Sequence, residues 1–403
     1  MSETRPHIAI LGAGPTGIEA ALAAAESGFP FTLYEAAPAA AGHLRRWGHV
    51  RLFTPWEMSV SPRLRRWLEE TGAEIPAGGE CPTGAELADL LDRAAALPEI
   101  APHVRFGTRV LAIGRQGLLK HEEIATAERG RRPFRLLLAD ASGREQIGRA
   151  DVVIDATGTY GNPNRLGDGG IPAAGESAFE SEIRRDIPDF SREASEWAGR
   201  TILLAGAGHS AQTAVRDLAE LARQAPGTRV IWALRSGSTD WGTHPGDPLP
   251  ERARLAAAAG ELAGGASPAV EARRGVVIEE ISRPNGKLRV TLRNGNTSEE
   301  VEVDRILSLT GYVGDAGLYR QLQVHECYAT SGPMKLSAAL LGAAGGDCLS
   351  QTAHGVDTLT NPEPGLFILG SKSYGRNNTF LMRVGWEQVG EVFGQLAGNA
   401  NPR

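Results

Sequence analysis

Two glycine-rich turns, each placed directly after a short apolar run and directly before a helix-forming stretch, constrain this 403-residue chain more than any other feature. Gly12-Ala13-Gly14-Pro15-Thr16-Gly17 follows His7-Ile8-Ala9-Ile10-Leu11, and Gly206-Ala207-Gly208-His209-Ser210-Ala211 follows Thr201-Ile202-Leu203-Leu204-Ala205. The chain holds 50 glycines, so the residue type alone decides little; the strand, turn and helix around each glycine group carry the argument. A buried parallel strand feeding a tight turn and then a helix is the opening of a βαβ unit.

The first turn is followed by a predicted helix from Ile18 to Ser27 and a second strand, Phe31-Thr32-Leu33-Tyr34, that ends in Glu35. Glycines let the backbone approach a pyrophosphate at the helix N-terminus, where unpaired amides favour negative charge. Glu35 stands close to the roughly 20-residue spacing at which a carboxylate accepts hydrogen bonds from a ribose diol. The second turn repeats the pattern, with a helix from Ala211 to Arg223 and a strand from Thr228 to Leu234, but that strand ends in Arg235. A guanidinium there suits a 2′-phosphate through charge-assisted, bidentate hydrogen bonding, which favours NADPH over NADH. A solvated strand-end arginine is the alternative.

Two nucleotide sites fit a chain long enough for two or three domains. Hydrophobic residues at 41% and charged residues at 22% are ordinary for a soluble globular protein. A net charge of −6 gives no general attraction to nucleic acid or to an anionic membrane. No apolar run reaches the ~18 residues of a membrane span, and the first strand follows Met1-Ser2-Glu3-Thr4-Arg5-Pro6 almost at once, so a cytoplasmic location is expected. Cys81, Cys327 and Cys348 form no Cys-x-x-Cys pair, which removes support for a dithiol relay, and the nine histidines form no short-spaced metal cluster.

Between the turns, residues 42 to 63 mix aromatic, basic and small residues without a clear period, and read as a long loop. Arg45 or Arg46 could neutralise a pyrophosphate there, and Trp47 or Trp56 could cover a ring. Thr83-Gly84-Ala85-Glu86 has capping-box spacing, and Leu87, Leu90 and Leu91 then share one helix face. Strands are expected over Val104 to Ile113 and Phe134 to Leu138. Asp151-Val152-Val153-Ile154-Asp155 leads into Ala156-Thr157-Gly158, and Asp304 to Tyr312 forms a later counterpart through Thr310-Gly311-Tyr312.

The order of first glycine turn with Glu35, Ala156-Thr157-Gly158 crossing, second glycine turn and Thr310-Gly311-Tyr312 return resembles the two-dinucleotide-binding-domain flavoproteins. That superfamily includes thioredoxin-reductase-like enzymes and flavin monooxygenases. The resemblance implies an α/β fold with two Rossmann-like, three-layer domains, the NADPH domain inserted into a split FAD domain. The expected segments are residues 1–165 and 301–403 for FAD and 166–300 for the nicotinamide cofactor. It assigns FAD to Gly12, Gly14, Pro15, Thr16, Gly17, Glu35, Arg45, Trp47, Val110, Thr157, Gly158, Gly370 and Thr379, with Val110 offering backbone groups to adenine. NADPH falls to Gly206, Gly208, His209, Ser210 and Arg235. Ile154-Asp155-Ala156-Thr157-Gly158-Thr159-Tyr160 followed by Pro163 is closer to the monooxygenases than to the disulfide reductases. The chain departs from them twice. No phenylalanine-glycine pair leads to a histidine before the second turn, and no aspartate follows Gly370, where Ser371-Lys372-Ser373-Tyr374 stands instead.

Thr379 to Trp386 reads as the opening of a helix continuing through Val389 and Val392, with Asn377 or Asn378 as its cap. By analogy its N-terminus would face the flavin, where amides and the helix dipole favour the negative charge of reduction. Trp56, Lys372, Tyr374 and Asn378 are the candidate catalytic residues, and Arg376 a further polar candidate. The stretch around Trp241 could border the nicotinamide, with His244 a conceivable proton donor. Gly208-His209-Ser210-Ala211-Gln212 lacks the second glycine of a hydrolase nucleophile elbow. The expected activity is hydride transfer from NADPH to FAD, in a monooxygenase acting on a small organic substrate. The alternatives are a reductase with a non-disulfide organic, quinone or protein acceptor, and a nucleotide-sensing binding protein. Flavoproteins of this kind often form homodimers.

Overall fold

A computed structural model describes residues 5–238, 240–242, 247–342, 349 and 352–399. His244 and Cys348 lie outside the described residues. The chain divides into two compact units, one of residues 1–162 with 313–403, the other of residues 163–312.

The first unit holds a parallel sheet of β1 (Ile8–Leu11), β2 (Phe31–Tyr34), β3 (Val104–Arg105), β7 (Val152–Asp155) and β16 (Leu366–Ile368), in the order β16-β7-β1-β2-β3. β4 (Arg109–Arg115), β5 (Phe134–Ala139) and β6 (Glu145–Ala150) form a separate antiparallel sheet. Strand alternation explains the layering: Ile8 and Ile10 of β1 join one core with the helices, while Ala9 and Leu11 join another with Ile113, Phe134, Leu136 and Leu138. The helical layer is built from α1 (Pro15–Glu26), α2 (Gly84–Ala95) and α4 (Met382–Asn399). Such burial contributes on the order of 1.5–3 kcal/mol for each enclosed Leu or Ile.

The second unit repeats the plan. β8 (Ile183–Arg184), β9 (Thr201–Ala205), β10 (Arg229–Leu234), β11 (Val270–Arg274) and β15 (Arg305–Ser308) form a parallel sheet in the order β11-β10-β9-β15-β8. β12 (Val277–Ser282), β13 (Leu288–Asn294) and β14 (Thr297–Val303) form an antiparallel sheet whose Ile278, Val290 and Leu292 share a core with Leu203 and Ile231. α3 (His209–Gln224) follows the second glycine turn and contacts β9 and β10.

Several local expectations change. The run from Val104 to Ile113 is two strands in two sheets, because Gly107 at φ +62° turns the chain between β3 and β4. The return strand β15 is hydrogen-bonded to β9, so the second unit extends through Tyr312 and not to residue 300. Residues 42 to 63 are not one long loop: helical turns occupy Gly42–Arg46 and Trp56–Ser59, and a helix starts at Pro62 with Ser61 as its cap. The capping box is present as read, Thr83 N–H donating to Glu86 Oε2 at 2.7 Å and Glu86 N–H to Thr83 Oγ1 at 3.2 Å. α4 opens at Met382 rather than Thr379, since Asn377 Oδ1 accepts from the N–H and hydroxyl of Thr379 in a local turn.

Candidate functional site

The first glycine turn leaves the C-terminal end of β1 beside that of β7. Gly12 adopts φ +93°, and a Cβ there would lie 2.8 Å from the carbonyl oxygen of Ala156. A Cβ on Gly17 would fall on the Gly12 carbonyl, so the helix closes tightly on the turn. A Cβ on Gly14, by contrast, would meet nothing within 4 Å: this glycine opens onto free space at the N-terminus of α1. Pro15 occupies the first helical turn, where a missing N–H costs nothing. Glu35 follows β2, as the sequence predicts, and its carboxylate accepts from Ala13 N–H at 2.7 Å and Ala37 N–H at 2.8 Å. Those bonds hold the acid against the glycine turn and leave lone pairs on both oxygens for further donors. An open glycine, an uncapped helix start and an anchored carboxylate together fit the pyrophosphate and ribose of a dinucleotide.

Arg45 is committed elsewhere: it pairs with Asp92 and, at 3.1 Å, with Asp89 on α2, and donates to Ala40 O. Trp47 packs against Gly84, and its ring lies 5.9 Å from that of Tyr160, which also stacks on His43 at 5.8 Å. The fold therefore brings Trp47 to the segment that follows Thr157-Gly158. The Trp47 indole Nε1 is buried with no hydrogen-bond partner among the described residues. Burial and the Arg46 and Arg109 guanidinium groups lower the pKa of His43. Val110 pairs with Leu138 next to a bulge in β4, half-buried.

Three of the four candidate catalytic residues are interior. Trp56 is a core residue, in one apolar cluster with Val60 and with Leu64 of the helix that starts at Pro62. Lys372 is 2% exposed: its Nζ donates to Asp155 Oδ2 at 2.6 Å and to Thr157 Oγ1 at 3.2 Å, 5.1 Å from the Tyr319 ring centre. Asp155 Oδ1 in turn accepts from the Thr157 N–H at 3.1 Å and hydroxyl at 2.7 Å. Tyr374 is fully buried against Phe380, with no partner for its hydroxyl among the described residues. Burial, helped by Glu387 and opposed by Arg383, pushes its phenol up to about 12. Only Asn378 is exposed. The sequence presents these positions as polar or aromatic groups able to reach a ligand, whereas the fold turns Trp56, Lys372 and Tyr374 inward.

Gly370, at φ +72°, donates its N–H to Gln388 Oε1 at 2.8 Å, and a Cβ there would sit 2.7 Å from Thr16 Oγ1. Gly385 is as close to the same hydroxyl, so Thr16 is a packing contact between α1 and the C-terminal segment. Asp155, the partner of Lys372, lies within the Ile154 to Tyr160 string, but nothing in that string marks it as the partner of a buried lysine. Its one signal in the sequence is an acid closing the apolar run Val152-Val153-Ile154.

The second turn has the same geometry with different chemistry. Gly206 adopts φ +126°, where a Cβ would meet the Leu309 carbonyl at 2.2 Å, while Gly208 opens onto free space at the start of α3. His209 begins the helix half-buried, and Ser210 is exposed. Arg235 emerges exposed from the end of β10. Beneath the turn, Trp232 Nε1 donates to Gly206 O at 2.8 Å, and Gln212 Nε2 donates to Ala207 O at 3.1 Å and Trp241 O at 3.2 Å. An open helix start with an exposed guanidinium at the strand end fits a 2′-phosphorylated dinucleotide.

No family model and no curated protein matches the sequence. Solved structures do match in fold. A bacillithiol disulfide reductase from Bacillus cereus is 17% identical, with a TM-score of 0.68 over 98% of this chain and 99% of the other. An ornithine N-hydroxylase from Kutzneria sp. 744, solved with reduced FAD, NADP+ and L-ornithine, is 16% identical with a TM-score of 0.64 over 98% and 100%. A thioredoxin reductase from T. acidophilum is 16% identical with a TM-score of 0.58 over 99% of each chain. The chain shares the fold of these solved structures, a bacillithiol disulfide reductase, a thioredoxin reductase and an N-hydroxylase alike. No helix among the described residues is long and apolar enough to cross a membrane.

Proposed function

We propose that this protein is an FAD-dependent oxidoreductase that takes hydride from NADPH, and that it is a monooxygenase acting on a small organic substrate. The observation that carries the reading is the pair of open glycine turns with opposite charge at the next strand end, Glu35 in one unit and Arg235 in the other. In the first unit the α1 amides would hold the FAD pyrophosphate and Glu35 the ribose hydroxyls. In the second, the α3 amides would hold the NADPH pyrophosphate and Arg235 the 2′-phosphate. The bound cofactors supply the electron chemistry; the protein contributes geometry, charge and exclusion of water.

Oxygenation is favoured over dithiol relay by the sequence Ile154 to Tyr160 and by the cysteine spacing, since Cys81, Cys327 and Cys348 form no Cys-x-x-Cys pair. A reductase passing electrons to a non-disulfide organic, quinone or protein acceptor is the second reading. It is favoured by the absence of the phenylalanine-glycine-histidine fingerprint before Gly206.

The deciding experiment is anaerobic addition of NADPH to the purified protein, with flavin absorbance recorded, followed by oxygen and candidate amines. Bleaching by NADPH supports the two-cofactor reading, and a protein purified without flavin that takes up none overturns it. Substrate-dependent NADPH consumption with little peroxide supports oxygenation. One peroxide per NADPH whatever is added supports the reductase.

A further inference from the structure

The segment between β4 and β5 displays Leu119 at 61% exposure and Ile124 at 68%, and it is held firmly from beneath. The buried Arg129 donates from Nη1 to Leu119 O at 3.1 Å and to Glu122 O at 2.9 Å, while its Nη2 donates to Glu363 at 2.8 Å. Gln323 Nε2 donates to Lys120 O at 2.7 Å and to Glu122 O at 3.1 Å. Glu123 at φ +50° and Ala125 at φ +56° flank Ile124, and neither is a glycine. Left-handed backbone is unfavourable at such residues and persists only where the surroundings enforce it. The fold thus fixes a strained loop that carries two apolar side chains into water, with the exposed Glu122 and Glu123 beside them.

The outer face of the β4-β5-β6 sheet has the opposite charge. Leu137 is in register with Ile147 and Arg135 with Arg149, so an apolar pair adjoins two arginines placed directly across from each other. Ile147 and Leu111, at the bulge in β4, are each 39% exposed. Both arginines are exposed, and neither has a carboxylate partner among the described residues. Like charges directly opposite destabilise a strand pair. On a chain of net charge −6, a basic and apolar sheet face is suited to an acid that arrives from outside the sheet.

We propose that this sheet face and the Leu119 to Ile124 loop form a two-fold interface between two copies of the chain, the loop of each seated on the sheet of the other. A second copy is the occupant because the chain carries its own complement. Leu119 and Ile124 match the apolar pair Leu137 and Ile147, and Glu122 and Glu123 match Arg135 and Arg149. Two-fold symmetry makes each contact twice, which doubles the gain from one matched loop and face. The interface lies wholly within the first compact unit and does not depend on the cofactor reading.

The test is sedimentation velocity of the purified protein over a roughly hundredfold range of concentration, since self-association follows mass action. Wild type sediments as a dimer that dissociates on dilution. Ile124→Lys brings a cation to the arginines and Arg135→Glu brings a carboxylate to the loop acids, so each weakens the dimer by about tenfold or more. Both positions are exposed, so both variants keep the wild-type circular dichroism spectrum and flavin content. Mixing the two variants restores the dimer. The lysine introduced in one loop then faces the glutamate introduced in the other sheet, and the second contact is wild type at both positions. A wild type that is monomeric throughout, either variant dimerising as wild type does, or a mixture that associates no more strongly than its components overturns the interface.

Discussion

Lys372 Nζ and Asp155 Oδ2 meet at 2.6 Å in the interior of the first unit, the lysine side chain 1% exposed and the aspartate 0%. The pair joins the end of β7 to the Gly370–Tyr374 turn, with Thr157 bonded to both partners. A Cβ on Gly12 would touch the backbone of Ala156 and Thr157, so the ion pair stands immediately behind the first glycine turn. Removing one partner leaves the other charge uncompensated in a low-dielectric site. Lys372→Met should therefore destabilise the protein by ~3–5 kcal/mol, and adding Asp155→Asn should recover part of the loss. Urea midpoints of the three proteins check this; a Lys372→Met midpoint equal to wild type would show the pair to be dispensable.

The same pair shows what is legible in the sequence and what is not. Glu35 and Arg235 are readable because local spacing after a glycine turn fixes where a strand must end. The Thr83 capping box is readable for the same reason. Lys372 stands out as a residue but its place does not, since its partner is 217 positions away and no local pattern links them. Arg115, Arg129 and Glu363 make the point again. All three are buried, Glu363 receiving both guanidinium groups at 2.6 and 2.8 Å across more than two hundred residues. Polar residues in such positions look like surface residues until the fold closes over them. The break between β3 and β4 is hidden for a different reason: apolar alternation continues across Gly107, and the pattern does not show that this glycine takes φ +62° and sends the two strands to different sheets.

The Tyr374 hydroxyl, without a partner among the described residues, predicts an unusual substitution. A buried O–H without a partner costs ~1–3 kcal/mol, so Tyr374→Phe should unfold at the same temperature as wild type or higher. The pH dependence follows from the raised phenol. The folded state holds its proton up to about 12 against 10.0 for an ordinary tyrosine, so the folded chain binds more protons in that interval. Its contribution to stability is complete below pH 10 and is lost as pH rises from 10 towards 12. The wild-type minus Tyr374→Phe difference spectrum should show tyrosinate forming near pH 12; formation at pH 10 would contradict the buried placement.

Gly206 separates the two glycine turns experimentally. Alanine there must adopt φ +126° and place its Cβ 2.2 Å from the Leu309 carbonyl, a backbone atom that cannot swing aside. Gly206→Ala should cost more than ~1 kcal/mol in stability and abolish flavin bleaching by NADPH, while the protein still purifies yellow. A variant that bleaches at the wild-type rate would remove this turn from the nicotinamide site.

Glu35 offers the converse separation. Its two oxygens accept from Ala13 and Ala37 while retaining lone pairs for ribose hydroxyls, an arrangement that depends on a group accepting at both atoms. In Glu35→Gln one of those atoms becomes an N–H donor facing a backbone N–H, so that contact turns repulsive and the shape of the side chain is otherwise kept. Hydrogen bonds to charged groups contribute ~1.5–3 kcal/mol, which converts to roughly a tenfold to hundredfold loss in FAD affinity. The flavin-to-protein absorbance ratio after dialysis and the fluorescence of released flavin both measure this. Affinity for adenosine 2′,5′-bisphosphate should be unchanged, because Arg235 and the second glycine turn belong to the other compact unit. Equal loss of both ligands would mean that the two turns do not divide the cofactors between them. Loss of the bisphosphate alone would exchange their roles.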